Sequence, residues 1–175
     1  WVQEVPQTEK LELADLFVQA AVQTGLPYNE DFNGPSQEGA GYYQLNIRNG
    51  VRQSTARTYL KLCEQRPNLT LHTGALTEKI LIKDGRAVGV QYSRKEGKLT
   101  TTQSAYAGCE VILCGGVINS PQLLELSGVG DRERLESLGI EVKHHLPGVG
   151  ENLQDHLTIN VQQGLHKVTT FFEET

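Results

Sequence analysis

Val111-Ile112-Leu113-Cys114-Gly115-Gly116-Val117-Ile118-Asn119-Ser120-Pro121-Gln122-Leu123-Leu124-Glu125-Leu126 passes from an unbroken apolar run, through two glycines, into apolar residues at helical spacing. Four apolar residues in a row suit a strand covered on both faces, as in a parallel sheet flanked by helices. Glycines at the end of such a strand let a ligand or another backbone come close. A helix that follows aims its N-terminal amides at the same place, where an anionic dinucleotide is favoured. Ser120 reads as the N-cap of that helix and Pro121 as its first residue. An ordinary strand-turn-helix joint accounts for the same pattern without a ligand.

Working outward, short strands precede this run at 69–72, 79–82, 87–92 and 99–105, with turns at Asp84-Gly85 and Lys95-Glu96-Gly97. Short strands joined by tight turns make a meander. Further upstream, Leu13, Leu16, Phe17, Ala20 and Ala21 mark an amphipathic helix over 9–24 that Gly25 and Pro27 stop. An irregular loop with a short strand fills 28–53. A second helix over 54–64 has Ser54 as N-cap and Ala56, Tyr59, Leu60 and Cys63 on one face, and Pro67 closes it. Downstream, Asp131 caps a helix that Gly139 ends, 140–142 is extended, and Leu157, Ile159 and Val161 alternate with polar residues as in a half-buried strand. The fold class is α/β, or α+β within this chain, with 111–114 as a strand of a Rossmann-like core.

Of the 175 residues 38% are hydrophobic and 21% charged, and no apolar run approaches the roughly 20 residues that span a bilayer, which excludes a membrane span. The net charge is -5, and Arg48, Arg52 and Arg57 are scattered, so nucleic acid is not an expected partner. Cys63, Cys109 and Cys114 lack CxxC spacing and read as buried thiols in a reducing, cytoplasmic compartment. The chain opens on Trp1 with no export signal and reads as trimmed. The sequon Asn68-Leu69-Thr70 introduces a strand pattern and does not establish secretion. His144 and His145 point to opposite faces of a strand, and no HxxxH spacing exists, so no metal is expected. Asp155 beside His156 reads as a structural hydrogen-bonding pair. Tyr42 and Tyr43 are either substrate-facing or core and rim.

The stretch from Gly115 to Gly130 closely resembles the second signature of the glucose-methanol-choline oxidoreductase family. Leu146-Pro147-Gly148-Val149-Gly150-Glu151-Asn152-Leu153-Gln154-Asp155-His156 looks like the segment by which that family leaves its flavin domain. Asp31-Phe32-Asn33-Gly34, Gly50-Val51-Arg52-Gln53-Ser54 and Arg66-Pro67-Asn68-Leu69 are similar to its choline-dehydrogenase-like branch. A dinucleotide fingerprint at Gly148 and Gly150 is rejected, because Leu153 stands at the third glycine position and no helix pattern follows.

The resemblance implies an FAD-dependent oxidation of a small primary alcohol. It divides the chain into 1–67 from the substrate-binding domain, 68–154 from the middle of the FAD-binding domain, and 155–175 returning to the substrate-binding domain. It places Thr77 against the flavin adenine through backbone groups, which any side chain permits. Gly115 and Gly116 fall where the cofactor comes close, and Cys114 lines the cofactor edge or is a small buried hydrophobe. The family's GxGxxG unit is expected upstream of this chain and its catalytic histidine downstream, so no catalytic residue is assigned here. A rival reading makes the chain an autonomous, non-catalytic meander-and-helix module for binding or assembly.

Overall fold

Two tight turns and three runs of alternating residues build the largest sheet of the computed structural model, which describes residues 2–6, 10–162 and 164. Strands β3 (Ala75–Lys83), β4 (Arg86–Glu96) and β5 (Leu99–Tyr106) form the expected antiparallel meander in the order β3-β4-β5. Asp84 and Gly85 both take left-handed backbone, φ 50° and 73°, which matches the right-handed twist of the strands they join. β3 slips register against β4 between Thr77 and Lys79 and again between Leu81 and Ile82. Ile80, Tyr92 and Ser93 are the buried residues on these strands other than Gly89.

The segment 71–159 is one compact unit, and 1–70 with 160–175 is another. In the first, helix α3 (Gly116–Leu126) packs on β3. Their tie is Ser127, 2% exposed, whose hydroxyl donates to the Leu123 carbonyl at 2.5 Å and accepts from the Ile80 amide at 2.8 Å. Strand β6 (Val129–Gly130), helix α4 (Arg132–Ser137) and strand β7 (His144–His145) follow as a small strand-helix-strand unit with a parallel pair. Asp131 caps α4 through an Arg134 amide at 3.0 Å, and Gly139 ends it. Leu135, on the inner side of α4, is fully buried. Arg134 reaches Glu125 of α3 and Glu151 of the following turn, each at 3.2 Å.

In the other unit, helix α1 is Glu12–Gln23, and strands β1 (Ile47–Arg48) and β2 (Val51–Arg52) form a short hairpin. The helix expected from Ser54 is one run whose first part, Ala56–Leu60, is π-helical and whose last turn, α2, is Lys61–Cys63. The Ser54 carbonyl accepts from the Arg57 and Thr58 amides, both at 3.0 Å. The wider π turn rotates the inward side, so Thr58 is buried and Tyr59 is exposed, contrary to the face read from α-helical spacing.

Three expected strands are absent for one physical reason: a strand needs a partner. Residues 111–114 make no ladder among the described residues; Val111 and Leu113 turn inward while Ile112 is 73% exposed and Cys114 is bare. One face is covered and the other open, not both buried. Residues 69–72 and 157–161 are likewise irregular, with Leu157 91% exposed and its alternating neighbours nearly so. Cys109 and Cys114 are exposed and Cys63 is half-buried, so none of the three thiols is fully buried as expected. The helix at the glycine pair begins at Gly116, and Pro121 lies inside it. The Ser120 hydroxyl explains the earlier start, because it turns back to accept the Gly115 amide at 3.0 Å.

Replacing Ser127 by Ala leaves the buried Ile80 amide without an acceptor and is expected to cost about 1–3 kcal/mol. Ser137, whose hydroxyl bonds the Arg134 carbonyl in an exposed place, serves as control and should change stability by no more than about 0.5 kcal/mol when made Ala. Urea midpoints measure both; equal midpoints would remove Ser127 from its bridging role.

Candidate functional site

The glycine pair sits at the amide end of an 11-residue helix, and the two glycines serve different ends. Gly115 has ordinary backbone, φ -76° and ψ -3°. A Cβ there would meet Asn119 Cβ at 3.2 Å and Ser120 Oγ at 3.3 Å, so packing limits its size. Gly116 has φ 86°, which an L side chain adopts only with strain, yet a Cβ there would meet nothing within 4 Å. Gly116 therefore turns the chain into α3 while leaving open space beside it. The first-turn amides of α3 have no partner within the helix and carry the positive end of its dipole.

Cys114, Val117 and Ile118 surround that end, all exposed, the last two at 68%. Pro121 has no amide to give the Val117 carbonyl, which lowers the hydrogen bonding of the first turns further. On the covered side, Val111 and Leu113 join Ile80, Ile82, Ala87 and Leu124 around an apolar cavity of about 260 Å³. The segment 111–114 thus alternates between cavity and open surface, as a strand would, without a neighbouring strand on it.

Thr77 is exposed on β3 opposite Tyr92, at the first register slip. The slip leaves Glu78 outside the ladder, and backbone groups outside a ladder are free to meet a ligand. Cys114, Gly115 and Gly116 are contiguous; Thr77 is on another element, with no hydrogen bond to them among the described residues. The β3 tie to α3, at Ser127, is at the far end of the helix from the glycine pair, about 16 Å along its axis. The strand expected at 69–72 is irregular, and Thr77, which the expected strands left between elements, lies within β3.

The remaining candidates are occupied otherwise. The His145 Nδ1 accepts from the Arg132 amide at 3.1 Å, and both His144 and His145 are exposed. Among the described residues no group of three or more His, Cys, Asp or Glu is placed to hold a metal. The Asp155 carboxylate accepts from the backbone amide of His156 at 2.8 Å, not from its ring. The Tyr42 hydroxyl donates to the Asp15 carboxylate at 2.6 Å, and Lys10 Nζ lies 4.2 Å from its ring centroid. Burial, followed by the bond to Asp15, pushes the Tyr42 phenol up to about 12. The Tyr43 ring lies 5.2 Å from that of Phe32, tilted at 44° to it, and Tyr43 is 74% exposed. Sequence spacing did not reveal the Ser120 bond to Gly115 or the Arg134 bridge; the one available signal was a serine within five residues of a helix-opening glycine.

A family model described as GMC oxidoreductase matches residues 2–158. The chain belongs to the GMC oxidoreductase family. It is 46% identical over 158 residues to an oxygen-dependent choline dehydrogenase of Photobacterium profundum, covering 90% of this chain and 27% of that protein. It is 50% identical over 151 residues to the mitochondrial choline dehydrogenase of Mus musculus, covering 86% of this chain and 25% of that protein. Pyridoxine 4-oxidase from Mesorbium loti superposes with a TM-score of 0.78 at 31% identity, over 89% of this chain and 30% of that one. An FAD-dependent oxidoreductase from Chaetomium thermophilum superposes at 0.74 with 35% identity, over 82% and 25%. The chain thus spans between a quarter and a third of the length of these GMC relatives, and its mixed helix and strand fold is theirs.

The Tyr42 phenol gives a pH prediction. Its folded pKa, about 12, lies above the ordinary 10.0, so the stabilisation it supplies is complete below pH 10 and is lost as pH rises through about 12. Absorbance titration of the chain against Tyr42→Phe should show the missing tyrosine as the high-pH component. A difference curve centred at 10 would contradict the Asp15 bond.

Proposed function

We propose that the chain is an internal piece of an FAD-dependent enzyme that oxidises a primary alcohol, with choline as the first alcohol to test. The observation that carries the reading is the glycine pair at the amide end of α3, in a chain whose similarity to choline dehydrogenases runs through that segment. Open space at Gly116 and an exposed apolar rim of Cys114, Val117 and Ile118 fit a large flat cofactor edge approaching the backbone. When bound, FAD supplies the acceptor for hydride from the carbinol carbon. The residues Cys114, Gly115 and Gly116 would border it and exclude water on that side, and Thr77 would meet its adenine through the backbone at the β3 slip. The proton-accepting histidine is assigned to sequence outside this chain.

We place 68–154 in the FAD-binding domain and 1–67 with 155–175 in the substrate-binding domain; the compact units 71–159 and 1–70 with 160–175 support that division. Three free cysteines suit a reducing, cytoplasmic setting. The bare apolar groups at Ile112, Val117, Ile118, Leu157, Ile159 and Val161 favour a piece of a larger enzyme over a self-sufficient binding module. The same surfaces, with β3 and β5 as outer strands, favour self-association of the isolated chain.

In the full-length enzyme, Gly116→Val should cost about 1–2 kcal/mol of fold stability through the left-handed backbone and reduce flavin retention by a larger factor than that alone explains. The flavin-to-protein absorbance ratio after gel filtration, compared with urea midpoints, separates the two. Retained flavin at reduced stability would remove the glycine pair from the site. The 175-residue chain alone should carry no stoichiometric flavin and should scatter light as a concentration-dependent oligomer; a yellow, monomeric preparation would refute the piece-of-an-enzyme reading.

A further inference from the structure

The protein holds two Asn-Gly pairs, Asn33-Gly34 and Asn49-Gly50, and the fold treats them oppositely. At the first, the Asn33 side-chain amide donates to Gln44 Oε1 at 3.1 Å and the Asn33 backbone amide donates to Asp31 Oδ1 at 2.9 Å. The Gly34 amide donates to the Asp31 carbonyl at 2.9 Å. Both the group that would be attacked and the nitrogen that would attack are held. Asn49-Gly50 forms the turn between β1 and β2, with φ 51° and 69°. Both residues are exposed, a Cβ on Gly50 would meet nothing within 4 Å, and no hydrogen bond reaches the Asn49 side chain or the Gly50 amide among the described residues.

We propose that Asn49 is a site of spontaneous deamidation, gated by opening of the β1–β2 hairpin, and that Asn33 is protected. The hairpin has only two residue pairs, Ile47 with Arg52 and Arg48 with Val51, all four exposed. An isolated two-stranded ribbon of that length is marginal in water and opens readily. Opening frees the Gly50 nitrogen to swing towards Asn49 Cγ, with no Cβ on Gly50 to obstruct it. The nitrogen gives its proton to water or hydroxide and bonds to Cγ; the bond between Cγ and Nδ2 breaks, and ammonia leaves with a proton from solvent. Water then opens the succinimide at either carbonyl, giving aspartate or isoaspartate, with no oxidant or reductant involved. Either product adds a negative charge beside Arg48 and Arg52. Isoaspartate also lengthens the backbone by one carbon, which a two-residue turn cannot absorb in register.

The test incubates the protein at mildly alkaline pH, in buffer and in urea, and follows both sites by peptide mass spectrometry. In buffer Asn49 should convert about tenfold faster than Asn33, the factor set by the hydrogen bonds that must break at Asn33. In urea the two rates should converge. Gln44→Leu, which removes the Asn33 side-chain acceptor, should speed Asn33 and leave Asn49 unchanged. Equal rates in buffer, Asn33 converting first, or the same ratio in buffer and urea would overturn the assignment.

Discussion

The Ser127 hydroxyl stands where a strand and a helix of different geometry must be joined, and it completes both. A strand packed under a helix has an amide that no ladder reaches, and the Leu123 carbonyl, which already accepts from the Ser127 amide at 3.1 Å, takes the hydroxyl proton as a second bond. Ser127 takes the Ile80 amide and gives its proton to Leu123 while 2% exposed. Because the next residues are β6 and then α4, the placement of the strand-helix-strand unit, and of the Arg134 bridge to Glu151, descends from that one side chain. Arg134 itself is partly exposed, and such an ion pair contributes modestly in water.

Where a feature depends on neighbours in sequence, it can be read from sequence. Asp84-Gly85 specifies its turn, Asp131 its cap, and Gly139 its helix stop by local stereochemistry alone. The strand patterns at 69–72, 111–114 and 157–161 mislead because an apolar pattern, alternating or continuous, records which faces want burial, not whether a partner strand lies alongside. Pro121 misplaces the start of α3 for a different reason: proline is favoured at a first helical turn, but a hydroxyl beside it can extend the helix backward by capping Gly115. The glycine pair is legible as a site of close approach; that Gly116 is needed for its backbone angle and Gly115 for space emerges only in three dimensions.

Membership of the GMC family sets these surfaces in context. The protein spans about a quarter of the length of the relatives it matches, and several of its most exposed apolar side chains, Ile112, Leu157 and Ile159 among them, fall on segments whose sequence pattern asks for a sheet. Pattern and exposure conflict at these places, whereas they agree at Ile80, Tyr92 and Leu135.

The two register slips in β3 and β4 behave like a frameshift and its suppressor. Thr77 faces Tyr92 and Lys79 faces Gln91, so Glu78 is an extra letter on β3; Leu81 faces Gly89 and Ile82 faces Ala87, so Val88 is an extra letter on β4. The two insertions cancel, and both ends of the ribbon are read in the same frame. Within β3 the first insertion changes parity, which lets odd-numbered Ala75 and even-numbered Ile80 and Ile82 all turn inward. Lineages of this fold can therefore lose both insertions together and keep the ends of the ribbon paired, but losing one alone would put every pair beyond it out of phase.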